Sequence, residues 1–337
     1  MKKIAVGIIV GILFIFVFWP SREKQNVVIV YVCLDQVFSE PIFKEFEHDT
    51  GIKVKAVYDI EATKTTGLTN RIIAEQANPH CDVFWNNEIA RTILLKDRGL
   101  LEPYVSANSK TIPEKFKDSE GYWTGFAARA RVIIYNTDLI TAAEAPNSLF
   151  DLTDNKWKGK CAIANPLFGT TSTQFTALFS YFGEKQTLDF LKRMKENNVI
   201  ISFGNSVVKD QVASGELYWG FTDTDDVNIA IENGQAVAMV FPDQDSFGTL
   251  LIPNTVSCIK GAPHPQNAKK LVDYLLSDNV EKQLACSKSV QIPLHQGIGR
   301  AGNMPLVSEI SVMQVDYIKV AESIEKYAPS LQKIFLR

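Results

Sequence analysis

The sequence predicts an α/β protein of two lobes, with mixed, mainly parallel sheets joined by hinge strands. Its 337 residues exceed what one hydrophobic core ordinarily organises, so two units are expected. Strand-like and helix-like segments alternate over residues 27–99, and the alternation begins again at Cys161. That order implies parallel pairing through right-handed crossovers. The extended runs near residues 130 and 255 lie outside both series and suit hinge crossings.

Taken in order, the apolar run at 27–32 reads as a strand buried on both faces. Ser39 is positioned to cap the next helix, with Pro41 in its first turn, and Gly51 to end it. A second strand follows at 52–58, a helix with Leu68, Ile72 and Ile73 inward, a short strand at 83–85 and a helix ending at Gly99. Residues 131–136 are a further strand. The second series runs from a strand at 161–164 through helices at about 171–182 and around Leu188, Leu191 and Met194. Next come a strand at 199–201, a helix capped by Asn205, a strand at 217–221, a loop and helix over 222–233, and a strand at 236–241. Residues 250–259 read as one strand interrupted by Pro253, Pro265 opens a helix, and 279–337 are expected to be mostly helical. The expected division is 23–128 plus 249–290 for one lobe, 129–248 for the other, and C-terminal helices over 291–337.

Lys2 and Lys3 precede an apolar run over 4–19, which ends at Pro20. This predicts an export segment over residues 1–22, hence a periplasmic or otherwise extracytoplasmic protein. The small-x-small pattern of a cleavage site is missing, because Phe18, Trp19 and Pro20 occupy its place; retention as a membrane anchor is therefore kept beside cleavage. A net charge of −3 gives no reason to expect nucleic acid as a partner. The five cysteines show no metal-site or CxxC spacing, and Cys33, Cys161 and Cys258 lie in strand-like runs, where a thiol packs as a small hydrophobe.

Several segments carry a family resemblance. The run Phe46-Glu47-His48-Asp49-Thr50-Gly51-Ile52-Lys53-Val54 is joined by Asp82-Val83-Phe84-Trp85, by residues 123–138 (WTGFAARARVIIYNTD) and by 152–160 (LTDNKWKGK). In this order they resemble type II solute-binding proteins of ABC importers, in the ferric-iron-binding-protein-like branch, which also has phosphonate and sugar-phosphate binders. The resemblance implies a cleft between the lobes, a permease in the inner membrane as partner, a monomer, and no catalytic residues or cofactor. Iron binders of the branch usually present adjacent tyrosines after the strand matching 217–221. Here that place reads Thr222-Asp223-Thr224-Asp225-Asp226, and the first-lobe loop that often holds a histidine or acid reads Leu34-Asp35-Gln36. A phosphonate or phosphate-ester solute is therefore expected, with Fe3+ and an accompanying anion as the alternative cargo.

The candidate binding residues follow predicted strands, where open α/β sheets hold ligands. Three segments offer helix N termini to an anion: residues 62–67, with Ala62 and Thr63; residues 169–173, with Thr170, Thr171 and Ser172; and residues 204–206, with Asn205. Glu61, in the loop after the second strand, is a further candidate to face the ligand. Arg129 and Arg131, two apart in a strand, share a face; the resemblance implies that one of them contacts the bound anion, and spacing leaves both open. Of Asn86, Asn87 and Glu88, one is needed as a cap, and Asn87 is the expected one, which leaves Asn86 or Glu88 to face the ligand. Asp223, Asp225 and Asp226 repel unless a cation offsets them, and a metal ion or a ligand ammonium is the expected cation; with Thr222 and Thr224 they also suit hydroxyl groups. An enzyme using Cys33 lacks an evident base among the four histidines. A sensory module with the same cleft is the remaining alternative.

Overall fold

The computed structural model describes residues 26–59, 65–300 and 302–335. The expected export segment at 1–22 and the candidates Glu61, Ala62 and Thr63 lie outside them. The first series comprises β1 (Val27–Val32), α1 (Gln36–Thr50), β2 (Lys53–Tyr58), α2 (Thr66–Ala74), β3 (Val83–Asn86), α3 (Ala90–Asp97) and the short β4 (Leu101–Glu102). Next comes β5 (Thr124–Asn136), then β6 (Cys161–Ala164), α4 (Gly169–Phe182), α5 (Glu184–Glu196), β7 (Ile200–Ser202), α6 (Asn205–Ala213), β8 (Trp219–Asp223), α7 (Thr224–Glu232) and β9 (Val237–Val240). The chain closes with β10 (Leu251–Ile259), α8 (Pro265–Leu275), α9 (Asp278–Cys286) and α10 (Tyr317–Phe335).

The strands run β2-β1-β3-β10-β5-β8-β6-β7, with β4 added on β10 and β9 on β5. At one end β1 pairs in parallel with β2 and β3, and at the other β6 pairs in parallel with β7 and β8. The two parallel groups are joined by antiparallel β10 and β5, giving the mixed α/β architecture of the two-lobed binding proteins. Strand β5 serves both groups: its part up to Ala130 pairs with β10, and its part from Arg131 pairs with β8. At the crossing Ala127 takes a left-handed φ of 43°, and the register against β10 shifts between Pro253 and Asn254. This is a bulge, which bends a strand and raises its twist. Proline removes a ladder donor where the interruption falls.

The crossing is held by polar groups from the C-terminal part. Glu281 of α9 is fully buried and accepts the Ala127 N–H at 2.6 Å, the Leu294 N–H at 3.0 Å and the His295 N–H at 2.9 Å. Asn254 accepts the Trp85 Nε1–H at 3.3 Å and donates to the Ala127 carbonyl. Val30, Phe46, Trp85, Phe126 and Leu271 belong to a core under the first group of strands. Phe175, Phe190, Trp219 and Phe221 belong to another under the second, which also takes in Ile89 just before α3, Ile93 within it, and Val320 and Ile324 of α10.

Several local expectations are corrected. Helix α1 begins at Gln36, so Pro41 lies inside it and Ser39 does not cap it; the Ser39 hydroxyl donates to the Asp35 carbonyl at 3.1 Å. The C-terminal region is less helical than its composition suggests, because the described residues of 287–300 and 302–316 are irregular apart from one 3-10 turn at Val307–Glu309. Cys33, Cys81, Cys161 and Cys258 are buried, Cys286 is exposed, and none of the five forms a disulfide. Burial pushes the thiols of Cys161 and Cys258 up to about 12.

Candidate functional site

Helices α4, α6 and α7 each begin where a strand of the second group ends. The carboxyl ends of β6, β7 and β8 therefore bring three helix N termini together. The packing is close: a Cβ at Gly220 of β8 would collide with Val208 of α6 and stand 3.2 Å from the Ala162 carbonyl. Beside these termini lies a cavity of about 250 Å³, lined by Asp35, Asn87, Arg129, Thr170, Thr171 and Asn205, among others. Its wall is completed by Asp223, Asp225 and Asp226, by Ala164, Asn165 and Phe168, and by Phe203, Gly204 and Ser206.

The N-cap positions of α4 and α6 are Phe168 and Gly204, and neither supplies a side-chain cap. Their first-turn N–H groups thus face a cavity with no side chain from the cap position bonded to them, and the helix dipoles favour an anion there. Asn205, expected as the cap of α6, is its first helical residue instead, and its amide donates to Thr170 Oγ1 and to Asp223 Oδ2, both at 2.9 Å.

Behind this surface stands a sealed polar cluster. The Arg131 guanidinium is buried and donates to Asp223 Oδ1 at 2.6 Å, to Thr170 Oγ1 at 3.0 Å and to Thr171 Oγ1 at 3.1 Å. It also lies over the Phe221 ring, 5.0 Å from its centroid. Thr170 Oγ1 in turn donates to Asp223 Oδ2 at 2.7 Å. Arg129 Nη1 stands 3.6 Å from Asp223 Oδ2 and 3.2 Å from Asp225 Oδ2. With the Gln291 amide oxygen turned towards it, Arg129 Nη2 donates there at 3.1 Å. Burial alone would raise the Asp223 pKa, but Arg131, Arg129 and the Thr170 hydroxyl outweigh it and hold the carboxyl below the usual aspartate range. Burial likewise opposes the Arg129 charge, and Asp225, Asp223, Asp35 and Asp226 more than restore it.

This arrangement corrects the sequence reading of the acidic run. The fold itself brings Arg129 and Arg131 to these carboxylates, so their proximity does not require a cation from outside. Asp223, Asp225 and Asp226 do bring carboxylate oxygens within 4.8 Å of one another. Both oxygens of Asp223, however, already accept from Arg131, Thr170 and Asn205.

The cap of α3 is also reassigned. Glu88, not Asn87, caps it, accepting the Ala90 N–H at 2.9 Å and the Arg91 N–H at 2.8 Å. Glu88 further accepts from Thr173 Oγ1 of α4 at 2.7 Å, and Arg91 donates to the Leu167 carbonyl at 3.0 Å. Asn86 is buried and donates to Thr92 Oγ1 at 3.1 Å. Asn87 is left to line the cavity, with its amide oxygen buried and without a hydrogen-bond partner among the described residues.

The candidates Asp35, Asn87, Arg129, Thr170, Thr171, Asn205, Asp223 and Asp225 therefore meet at one cavity. Leu34 is instead part of the core, and Gln36 is exposed and donates to Glu40. Ser172 is buried in α4, with its carbonyl accepting from Thr176. The Thr222 hydroxyl donates to Asp226 at 2.9 Å, and that of Thr224 accepts the Ala130 N–H at 3.3 Å. Sequence reasoning passed over Ala164, Asn165, Phe168 and Phe203. Their signal is position alone, since Ala164 ends β6 and the others fill the turns from β6 into α4 and from β7 into α6.

A strand pair crossing between two parallel groups, with a polar cavity at the strand ends, defines a solute-trapping protein of the type II periplasmic kind. Residues 92–319 match the bacterial extracellular solute-binding protein family, and the chain belongs to it. The chain is 28% identical over 267 residues to iron uptake protein A1 of Synechocystis, covering 76% of this chain and 72% of that protein. The fold is similar to that of iron-bound HitA from Pseudomonas aeruginosa (23% identity, TM-score 0.81, 91% of this chain and 98% of that one). It is equally similar to AfuA from Actinobacillus pleuropneumoniae with fructose-6-phosphate bound (23% identity, TM-score 0.80, 90% and 98%). No helix among the described residues is long and apolar enough to cross a membrane.

Proposed function

We propose that this chain serves an ABC importer as its extracytoplasmic trap for a small polar solute with an anionic end, a phosphonate or a phosphate ester. On this reading one lobe comprises residues 23–128 and 249–290 and the other 129–248, with 291–337 as the C-terminal segment. The observation that carries this reading is the pair of N termini, of α4 and α6, that open on one cavity without a side-chain cap. An anion there receives backbone N–H groups and two helix dipoles, while the hydroxyl protons of Thr170 and Thr171 are given to Asp223 and Asn205 in the wall behind. Arg129 lines the same cavity and adds positive potential from behind. Asp35, Asp225 and Asp226 offer carboxylate oxygens to the hydroxyl or ammonium groups of the same solute. Arg131 contributes by fixing Asp223, Thr170 and Thr171 in place and does not touch the solute.

A second reading is Fe3+ held with an accompanying anion. It is favoured by the closely spaced oxygens of Asp223, Asp225 and Asp226 and by the identity to iron uptake protein A1. Thermal unfolding of the purified protein with inorganic phosphate, 2-aminoethylphosphonate, glucose 6-phosphate and ferric citrate separates the two, since a ligand bound only by the folded state raises the melting temperature. Stabilisation by phosphorus compounds alone is the expected result. Stabilisation by the ferric complex alone would replace the first reading by the second.

A further inference from the structure

Two phenylalanines border the cavity, and anion binding makes no use of either. Phe203 stands in the turn between β7 and α6 and is 81% exposed, more than any other large apolar side chain among the described residues. Phe168 occupies the N-cap position of α4 and is half-buried. Both line the cavity. A phenyl ring therefore stands at the N-cap position of α4 and another immediately before the N-cap position of α6. A ring left in water recovers none of the free energy of burial, and small-molecule sites combine apolar or aromatic walls with a few polar anchors. An inorganic ion satisfies the helix termini and leaves Phe203 hydrated. An organic ion of the same charge takes both the ring and its own carbon skeleton out of water.

We infer that Phe203, together with Phe168, determines specificity by receiving the carbon skeleton of the cargo, so that the protein selects an organic anion or an organic ferric chelate over the corresponding inorganic ion. This rests on the proposed cavity, and it holds for either of the two cargoes considered for it. Titration calorimetry on the purified wild type, Phe203→Ala and Phe203→Trp tests it with two pairs of probes. One pair is glucose 6-phosphate and inorganic phosphate, the other ferric citrate and ferric pyrophosphate. In the pair that binds, the organic member is expected to bind the wild type more tightly. Phe203→Ala is then expected to weaken that member about ten-fold, the scale of losing most of one aromatic contact, while the inorganic member changes less than about two-fold. Phe203→Trp is expected to retain tight binding. Equal wild-type affinity for both members, or an Ala variant that weakens both alike or neither, overturns the inference. Binding of the ferric pair alone sinks the phosphate-ester reading and leaves this inference standing. Equal binding of the two phosphates does the reverse, and no binding of any probe overturns both.

Discussion

Arg131 and Asp223 meet at 2.6 Å with both side chains sealed from solvent, and the pair is the keystone of the wall behind the cavity. Removing one partner of a buried pair strands the other charge, at a cost of about 3–5 kcal/mol. Arg131→Met and Asp223→Asn are each expected to destabilise the protein by about that amount, and the double variant by clearly less than the sum. Denaturant midpoints of the three variants measure this. Additive losses would mean that the two groups do not act as a pair.

Stability is expected to depend on acid through the same aspartate. The fold holds the Asp223 carboxyl below its ordinary value of 3.8, chiefly through Arg131 and Arg129 acting against burial. The ionised form is the one stabilised, so its contribution is complete above about pH 3.8 and is lost as the pH falls through the lower folded-state value. The stability gap between wild type and Asp223→Asn should therefore be widest at neutral pH and narrow in strong acid. Urea midpoints measured at descending pH read this directly, and a constant gap would contradict it.

The exchange of roles between Asn87 and Glu88 gives opposite expectations for neighbouring residues. Glu88→Ala uncaps α3 and strands Thr173, at a cost of about 2 kcal/mol. Asn87→Ala removes an amide oxygen that has no hydrogen-bond partner among the described residues and should leave stability within about 0.5 kcal/mol while altering solute affinity. Thermal unfolding and solute titration of both variants check the assignment.

Glu281 tests the crossing between the lobes. Burial raises its pKa, partly offset by the N–H groups of His295, Ala127 and Leu294. Glutamine in its place keeps the shape but turns an NH2 towards backbone donors. Glu281→Gln is therefore expected to cost about 2 kcal/mol and to speed hydrogen exchange at Ala127 and Leu294. Unchanged exchange there would show that Glu281 does not hold the bulge.

Closure is open to direct measurement. A solute that bridges the lobes shifts an equilibrium between open and closed forms. The radius of gyration from small-angle scattering is expected to fall when a binding solute is added. No change on saturation would mean that the solute is held by one lobe alone.

Much of this protein was legible in its sequence. Continuous apolar runs such as Val27–Val32 and the restart at Cys161 indicate buried parallel strands, because a strand covered on both faces cannot alternate. The positions after the strands located the cavity residues Thr170, Thr171, Asn205 and Asp223, since βα turns carry chain to the sheet's carboxyl edge whatever the side chains are. The placing of Arg129 and Arg131 on one face followed from strand periodicity, and both guanidinium groups do reach Asp223.

Pairing, by contrast, was decided only by the tertiary structure. Local sequence cannot say that Arg131 in β5 would be spent on Asp223 in β8, because antiparallel pairing across 92 positions of chain sets them side by side. Nor can it say that Glu88 rather than Asn87 caps α3, since that choice depends on Thr173 arriving from another helix. Periodicity and turn chemistry are properties of neighbours along the chain and can be read there. Which buried charge answers which, and which polar atom is left facing a cavity, depends on desolvation and distance in three dimensions.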